Sequence, residues 1–423
     1  MKVEKSRWWQ KFLVAGALAA LVAGTGSTLP SAYAGGMIKG DDDKWISVGV
    51  GLRTSFTAKE NSAPNGQEYS TDFNLDNARV YINGQLHKYI GFTFNTECFN
   101  CSVKPAGQEF GSNSAMGLLD AIAKFEVHPM FNIWAGRTLL PSERGELNGP
   151  YYHATYDGFR TPFFPADQSA NFNAGAGLYG RDNAVVLFGK VHPAGTHLLY
   201  AVSVSQGLRG LSGMNSEGSL MYTGRLQWNL LNDEDNPGYY TSGTYYGTGG
   251  DIFAIAANVQ HQKDGAGSAS TGGGLRTADF TGMSADVLLE KLMPNDLGVV
   301  TFNAEFKRFW ADTGKTTATS SDASFNMFDG VSWTVYGLYL IPTQVGWGRF
   351  QPYMRFTSID PRYGNLRQEW EPGINYVING HNARMSVFYR YGDSGAGPAG
   401  AAYATSSSSQ KVDSFTVAFQ WQY

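Results

Sequence analysis

The chain has 423 residues and a formal net charge of −4 at pH 7, with 52 glycines and only 16% charged residues. The acidic balance argues against a nucleic-acid-binding protein, whose binding surface would be basic. The two cysteines are too few for a disulfide-stabilised scaffold. Beyond residue 34 no apolar stretch is long enough for a membrane-spanning helix.

The N-terminus has the pattern of a secretory signal peptide. A positively charged segment precedes an apolar run at residues 12–24, and its basic residues are Lys2, Lys5, Arg7 and Lys11. Ala32-Tyr33-Ala34 then supplies the small-x-small pattern that signal peptidase recognises. The apolar run is shorter than the roughly 20 residues of a spanning helix, which argues against a membrane anchor. We therefore expect residues 1–34 to be removed on export, leaving residues 35–44 as a short linker.

Apolar and polar residues alternate in segment after segment from residue 45 to the C-terminus. In the last segment Phe415, Val417 and Phe419 share one face, while Ser414 and Thr416 share the other. The apolar faces carry aromatic residues and the opposite faces carry charges, which is the pattern of a barrel with lipid outside and water inside. We predict an all-β fold over residues 45–423, namely a 16-stranded antiparallel transmembrane β-barrel. The predicted strands lie near 45–56, 75–86, 89–98, 116–127, 131–140, 183–190, 197–206, 219–230, 251–262, 277–291, 298–310, 331–341, 348–359, 367–378, 382–391 and 413–423.

The connections between these segments alternate between short and long, as periplasmic turns and external loops do in such barrels. One connection breaks the alternation, because residues 231–250 are long where a short turn is expected. The longest external connection is the third, at residues 141–180, and this length is too great for a plain connector.

The alternation also predicts which charged side chains line the lumen. The cations assigned to it are Arg53, Arg79, Lys124, Arg225, Lys307, Arg349, Arg355, Arg384 and Arg390, and the carboxylates are Asp120, Glu126, Asp286, Glu305, Glu369 and Glu371. Arg137 and Arg181 lie at the ends of the third external connection, with Arg144 and Arg160 inside it. This excess of cations predicts a weak to moderate anion preference. The alternative is that each arginine is a wall charge paired with a nearby carboxylate.

Cys98-Phe99-Asn100-Cys101 forms a C-x-x-C motif. Ser102 stands where covalent haem attachment requires histidine, and no second cysteine pair completes a zinc site. We expect a small disulfide in an external loop, and no metal or cofactor. The seven histidines show no recognisable catalytic motif, so an enzyme is not expected.

Several stretches resemble the phosphate-selective porin O and P family. They are residues 74–80, Ala135-Gly136-Arg137 with Leu140-Pro141, residues 180–187, and Pro237-Gly238-Tyr239-Tyr240 with Tyr245-Tyr246-Gly247. The resemblance implies a bacterial outer-membrane porin, usually a homotrimer, whose third external loop folds inward and narrows the pore. It also accounts for residues 231–250 as a long periplasmic turn. The third connection contains no lysine, so the phosphate specificity of the family is not carried over.

These patterns lead to a first hypothesis and two alternatives. The first is a porin in the outer-membrane lipid that passes small anions or other hydrophilic solutes and binds no nucleic acid. The second is a barrel sheath around a periplasmic electron-transfer partner. The third is a solute-specific channel with a binding site in the third loop.

Overall fold

A computed structural model describes residues 36–40, 43–63, 65–99, 115–158, 180–207, 218–269, 275–310, 330–362, 366–393 and 411–423. The predicted signal peptide lies outside these residues. No helix among the described residues is long and apolar enough to cross a membrane.

Sixteen long antiparallel strands form one closed barrel. Each pairs with its neighbours in sequence, and the last strand closes the ring on the first through the register Val417↔Phe56 and Gln422↔Gly51. The strands are β1 Trp45–Lys59, β2 Ser70–His87, β3 Ile90–Phe99, β4 Ala115–His128, β5 Phe131–Leu139, β6 Arg181–Val191, β7 His197–Ser205, β8 Met221–Asn229, β9 Ile252–Ala269, β10 Leu275–Leu292, β11 Val299–Trp310, β12 Gly330–Leu340, β13 Gly348–Pro361, β14 Arg367–Asn379, β15 Ala383–Asp393 and β16 Lys411–Gln422.

The two faces of the wall differ as the alternation predicts. On β12 the side chains of Ser332 and Thr334 are buried inside, whereas Trp333 and Tyr339 are exposed outside. Because successive side chains of a strand point to opposite faces, this pattern places an apolar surface against lipid and a polar surface around the lumen. The 16-stranded barrel predicted from the sequence is confirmed.

Aromatic side chains on the outer face form groups near both ends of the strands. Phe350 packs against Tyr376 near the short turns, with ring centroids 5.1 Å apart. Phe356 packs against Trp333 and Trp370 nearer the long loops, at 5.2 and 4.5 Å. Two such girdles are typical of barrels whose aromatic rings lie at the two membrane–water interfaces.

Several strands are longer than the alternation predicts. β2 begins at Ser70, five residues before the expected start, and β9 continues to Ala269 through a region expected to be a loop. Backbone pairing with the neighbouring strand resumes there after a register shift between Gln262 and Ala266, with Ala266 opposite Ala278. Hydrogen bonding along a ladder needs no apolar alternation, so such extensions leave no signal in the side-chain pattern.

The predicted linker, residues 35–44, contains a short strand, Gly36–Lys39, that pairs with the start of β1. β16 reaches only to Gly51 along β1, which leaves the first residues of β1 without a neighbour on that side. The short strand occupies this position, and Gly36 pairs with Val48. It therefore covers an edge that would otherwise expose unpaired backbone groups.

Candidate functional site in the barrel lumen

The first half of the third external connection, residues 140–158 and here called the crossing segment, contacts one side of the inner wall near its single helical turn, Arg144–Leu147. Asn258 of β9 donates to the carbonyl of Pro141 at 2.6 Å. The backbone N–H of Gly145 donates to Glu305 of β11 at 2.7 Å. These bonds hold the helical turn against strands β9 and β11.

The rest of the crossing segment contacts strands farther around the barrel. Gln420 of β16 donates to the carbonyl of Tyr151 at 2.7 Å, and Arg384 of β15 donates to that of His153 at 2.8 Å. Arg355 of β13 donates to the carbonyl of Asp157 at 2.6 Å. The crossing segment is therefore bonded to strands from β9 to β16, which lie seven strands apart around the ring of sixteen. Residues 159–179, including Arg160, lie outside the described residues.

The long turn between β8 and β9, residues 231–250 and here called the turn segment, contacts the inner wall from the short-turn end. Tyr239 packs on Trp134 of β5, with ring centroids 5.4 Å apart. Thr244 donates to Glu290 of β10 at 2.7 Å. Tyr246 is buried in a cluster with Val299, Leu340 and Val377 from strands β11, β12 and β14. The turn that broke the predicted alternation is thus an ordered part of the lumen.

The crossing segment and the turn segment are bonded to each other. Arg144 forms a bidentate pair with Glu234, with both N···O distances 2.7 Å, and the two side chains are almost wholly buried. Thr241 donates to Asn148 at 2.7 Å, and the N–H of Gly243 donates to the carbonyl of Tyr152 at 2.9 Å. Bidentate charge-assisted bonds are the strongest of these contacts, so the Arg144–Glu234 pair is the main link between the segments.

Most of the predicted lumen cations are paired with carboxylates. Arg225 contacts Asp286 at 2.5 Å, and this carboxylate also lies 3.3 Å from Arg144. The other pairs are Arg181 with Asp120 at 2.7 Å, Arg79 with Glu97, Lys307 with Glu143, Arg355 with Glu371 at 2.6 Å, and Arg390 with Glu371 at 2.5 Å and Asp157 at 2.6 Å.

Three other predicted site cations contact uncharged groups. The described partners of Arg384 are uncharged, and they include the carbonyls of the crossing segment. The ammonium of Lys124 lies 4.4 Å from the ring centroid of Trp134. Arg137 donates to the carbonyl of Leu118 at 3.2 Å.

The predicted disulfide lies at the edge of the described structure. Cys98, near the end of β3, is disulfide-bonded. Cys101 lies outside the described residues, so its part in the bond stays a prediction.

Burial changes the protonation behaviour of groups in the two segments. It raises the pKa of Glu146 well above the ordinary value, and the neighbouring Glu143 raises it further. Burial lowers the pKa of His153 well below the ordinary value, and Arg53 adds to this shift. Burial and then Arg384 lower the pKa of His381, in the turn before β15, to about 3. The two imidazoles are therefore neutral at pH 7.

Several carboxylates that contact lumen side chains were missed from the sequence. Glu143 and Glu234 lie in connections, where strand alternation assigns no face. Asp76 is the extra residue of a β-bulge, because Arg53 pairs with Asn77 and Thr54 with Leu75. A bulge re-aims side chains, and here Tyr156 of the crossing segment donates to the Asp76 carboxylate at 2.7 Å. The unusual length of the turn segment was the available signal for Glu234.

Comparisons with known proteins identify the fold. No family model matches the chain, and no curated protein matches it. The barrel is similar to OprB of Pseudomonas putida, with a TM-score of 0.53 and 8% identity over 90% of this chain and 95% of that one. It is similar to an anion-selective porin from Comamonas acidovorans, at 0.52 and 9% over 90% and 100%. It is also similar to Salmonella typhi OmpF in complex with daunomycin, at 0.52 and 12% over 92% and 100%.

At these identities the likeness shows the fold, which is that of bacterial outer-membrane barrels. The apolar outer wall and its aromatic girdles place this chain in the outer membrane. These likenesses do not distinguish the phosphate-selective porin O and P family from other porins, so that resemblance stays a prediction.

Proposed function

We propose that the chain is a passive, non-catalytic channel that lets small hydrophilic solutes diffuse across the outer membrane. The observation that carries the proposal is the polar inner wall, crossed by two of the chain's own segments. A polar wall holds water in the lumen, and chain segments across it limit the size of solutes that pass. In this proposal the third external connection folds inward and, with the turn segment, narrows the pore.

Swelling of proteoliposomes in isotonic solutions of uncharged solutes tests this function. The purified barrel is incorporated into liposomes that are then exposed to solutes of increasing size, from glycerol to trisaccharides. We expect rapid swelling with the smallest solutes and a steep fall as size increases. Swelling no faster than that of liposomes without protein, for every solute, would exclude a passive channel.

We also propose a weak anion preference. Carboxylates contact most of the lumen cations, whereas the described partners of Arg384 are uncharged, so no direct ion pair cancels its positive charge. The reversal potential across a planar bilayer under a KCl gradient measures this preference. We expect a small anion-selective potential, and a cation-selective potential would contradict the proposal.

The proposed oligomer is a homotrimer, as the family resemblance implies. Native mass spectrometry of the barrel extracted in mild detergent measures its subunit number directly. We expect a mass of three chains. A monomer at all concentrations would contradict the trimer and leave the channel proposal intact.

The crossing segment argues against a sheath around an electron-transfer protein. A sheath needs a lumen wide enough for a folded partner, whereas residues 140–158 are bonded both to β9 and to β16, which lies seven strands away around the ring of sixteen. Purification from the native membrane distinguishes the two functions. A sheath would copurify with a haem protein, and a channel would not.

A further inference from the structure

A cavity of about 270 Å³ lies in the half of the lumen nearer the long loops. Strands β1, β2, β14, β15 and β16 form its wall, and Tyr156 and Asp157 of the crossing segment border it. This volume is below the roughly 300–1,000 Å³ of pockets for drug-sized ligands. The cavity therefore suits a solute smaller than a drug, of about the size of a monosaccharide.

Hydroxyl groups line one side of this cavity in a regular array. Thr57 of β1 pairs across the strands with Thr416 of β16, and their hydroxyl oxygens are 3.1 Å apart. Ser55 and Ser414 continue the array along the same two strands. Each hydroxyl both donates and accepts hydrogen bonds, so this wall matches a ligand that carries hydroxyl groups of its own.

Carboxylates and cations face each other around the rest of the cavity. The bulge residue Asp76 and the crossing-segment residue Asp157 contribute carboxylates, as does Glu369 of β14. Lys59 and Arg390 contribute cations, and Arg390 contacts Asp157 at 2.6 Å. The positive groups nearly balance the negative ones, and the small surplus of carboxylates would repel phosphate or another anion.

We propose that this cavity binds an uncharged, polyhydroxylated solute of monosaccharide size. The inference rests on the proposed channel function and names a solute class that the channel selects. The paired hydroxyl groups of Thr57 and Thr416 donate hydrogen bonds to solute hydroxyl groups and accept hydrogen bonds from them. The carboxylate of Asp76 accepts further hydrogen bonds from the solute. A neutral solute is favoured because each added charge meets a like charge in the wall.

Saturation-transfer difference NMR with D-glucose tests binding directly on the purified barrel. The variant Thr57→Val with Thr416→Val removes the hydroxyl pair and keeps the side-chain shape. The matched control is Thr334→Val with Thr357→Val, which removes a threonine pair of the same geometry, 3.0 Å apart, elsewhere on the inner wall. A heat-dependent shift in electrophoretic mobility verifies that each barrel is folded.

We expect a saturable glucose signal in the wild-type barrel and in the control. The Thr57/Thr416 variant should bind glucose at least about tenfold more weakly, and Asp76→Asn should also weaken binding. A barrel that conducts ions but gives no saturable glucose signal would overturn this inference and leave the channel function standing. Displacement of glucose by inorganic phosphate or putrescine at lower concentration than by unlabelled glucose would overturn the neutral class. Absence of conduction with intact glucose binding would overturn the channel function alone.

Discussion

Arg144 lies where the crossing segment, the turn segment and the inner wall meet. Burial by itself would lower the pKa of its guanidinium, but Glu234 and then Asp286 raise it. Its carboxylate partner Glu234 is also held by Tyr245 at 2.6 Å and Gln227 at 3.0 Å. The buried positive charge of Arg144 is therefore balanced by a carboxylate from another part of the chain, and that carboxylate is itself fully hydrogen-bonded.

Glu234→Gln should lower the free energy of unfolding by about 3 kcal/mol, because a buried guanidinium then loses its main counter-charge. Asp233→Asn is the matched control, since the adjacent carboxylate pairs with Lys190 at 2.8 Å where both side chains are partly exposed. The control should cost less than about 1 kcal/mol. Urea unfolding of the barrel in lipid vesicles measures both. Equal losses in the two variants would contradict the role assigned to the Arg144–Glu234 pair.

Glu146 differs from Arg144, because one of its carboxylate oxygens is buried and has no hydrogen-bond partner among the described residues. The pKa of the Glu146 carboxyl group is raised in the folded barrel. The contribution of this group to the free energy of unfolding is therefore fully present below the unfolded pKa of about 4.3, and it is lost as pH rises. Glu146→Gln should therefore raise the free energy of unfolding at pH 7 by about 1 kcal/mol or more, and change it little at pH 4.

Urea unfolding at the two pH values measures this difference, with the exposed Glu68→Gln as control. The same change at both pH values would show that the substitution acts through packing and not through ionisation. A loss of stability at pH 7 would show that the Glu146 carboxylate is charged and favourably bonded.

Strand alternation assigned the lumen cations to the inner face but gave little information about their partners. Arg225 and Asp286 were both placed in the lumen from the sequence, and they form a pair. The partners of Arg144 and Lys307 include Glu234 and Glu143, which lie in connections without any periodic pattern. Pairing across such distances in sequence depends on the path of the connections, which a local pattern does not encode.

At the scale of elements, the turn segment and the crossing segment pack so closely that one contact requires glycine. A Cβ on Gly243 would lie 2.5 Å from the backbone nitrogen of Ala154 and 3.1 Å from its Cβ. Backbone atoms cannot move aside as the end of a flexible side chain can. The close approach of the two segments at this point therefore depends on the missing side chain.

Gly243→Ala should separate the two segments and lower the free energy of unfolding by about 2 kcal/mol, as overpacking typically does. Hydrogen–deuterium exchange should become at least about tenfold faster in peptides from residues 140–158 and 231–250. Gly337→Ala on β12 is the control, because a Cβ there meets only the carbonyl of Thr301 at 3.9 Å. Unchanged exchange in both peptides would contradict the close packing of the two segments at Gly243.

The strands were predictable from the sequence, whereas the path of the connections was not. Each strand has two chemically different faces, so a period of two residues marks it. The bulge at Asp76 breaks that period and turns an additional carboxylate into the lumen. The length of residues 231–250 signalled an unusual turn, but the contacts of Tyr239 and Tyr246 with the wall required the structure.

At the scale of the whole molecule, we propose that two segments of the chain narrow the closed polar lumen, one from each end. The crossing segment contacts strands β9 and β11 near its helical turn and strands β13, β15 and β16 farther around the barrel. The turn segment contacts β5, β10 and β14 and is bonded to the crossing segment. In the proposed channel, solutes would pass beside these two segments, and the dimensions of that path would determine what the channel admits.

Single-channel recording in a planar lipid bilayer tests this account most directly. The wild-type barrel and a variant in which a short turn replaces residues 231–250 are compared in KCl at equal voltage. We predict stable conductance steps for the wild-type barrel and larger steps for the variant, because the variant lacks one of the two narrowing segments. Absence of conductance steps in the folded wild-type barrel would contradict a passive channel, and equal steps in both proteins would contradict the narrowing by the turn segment.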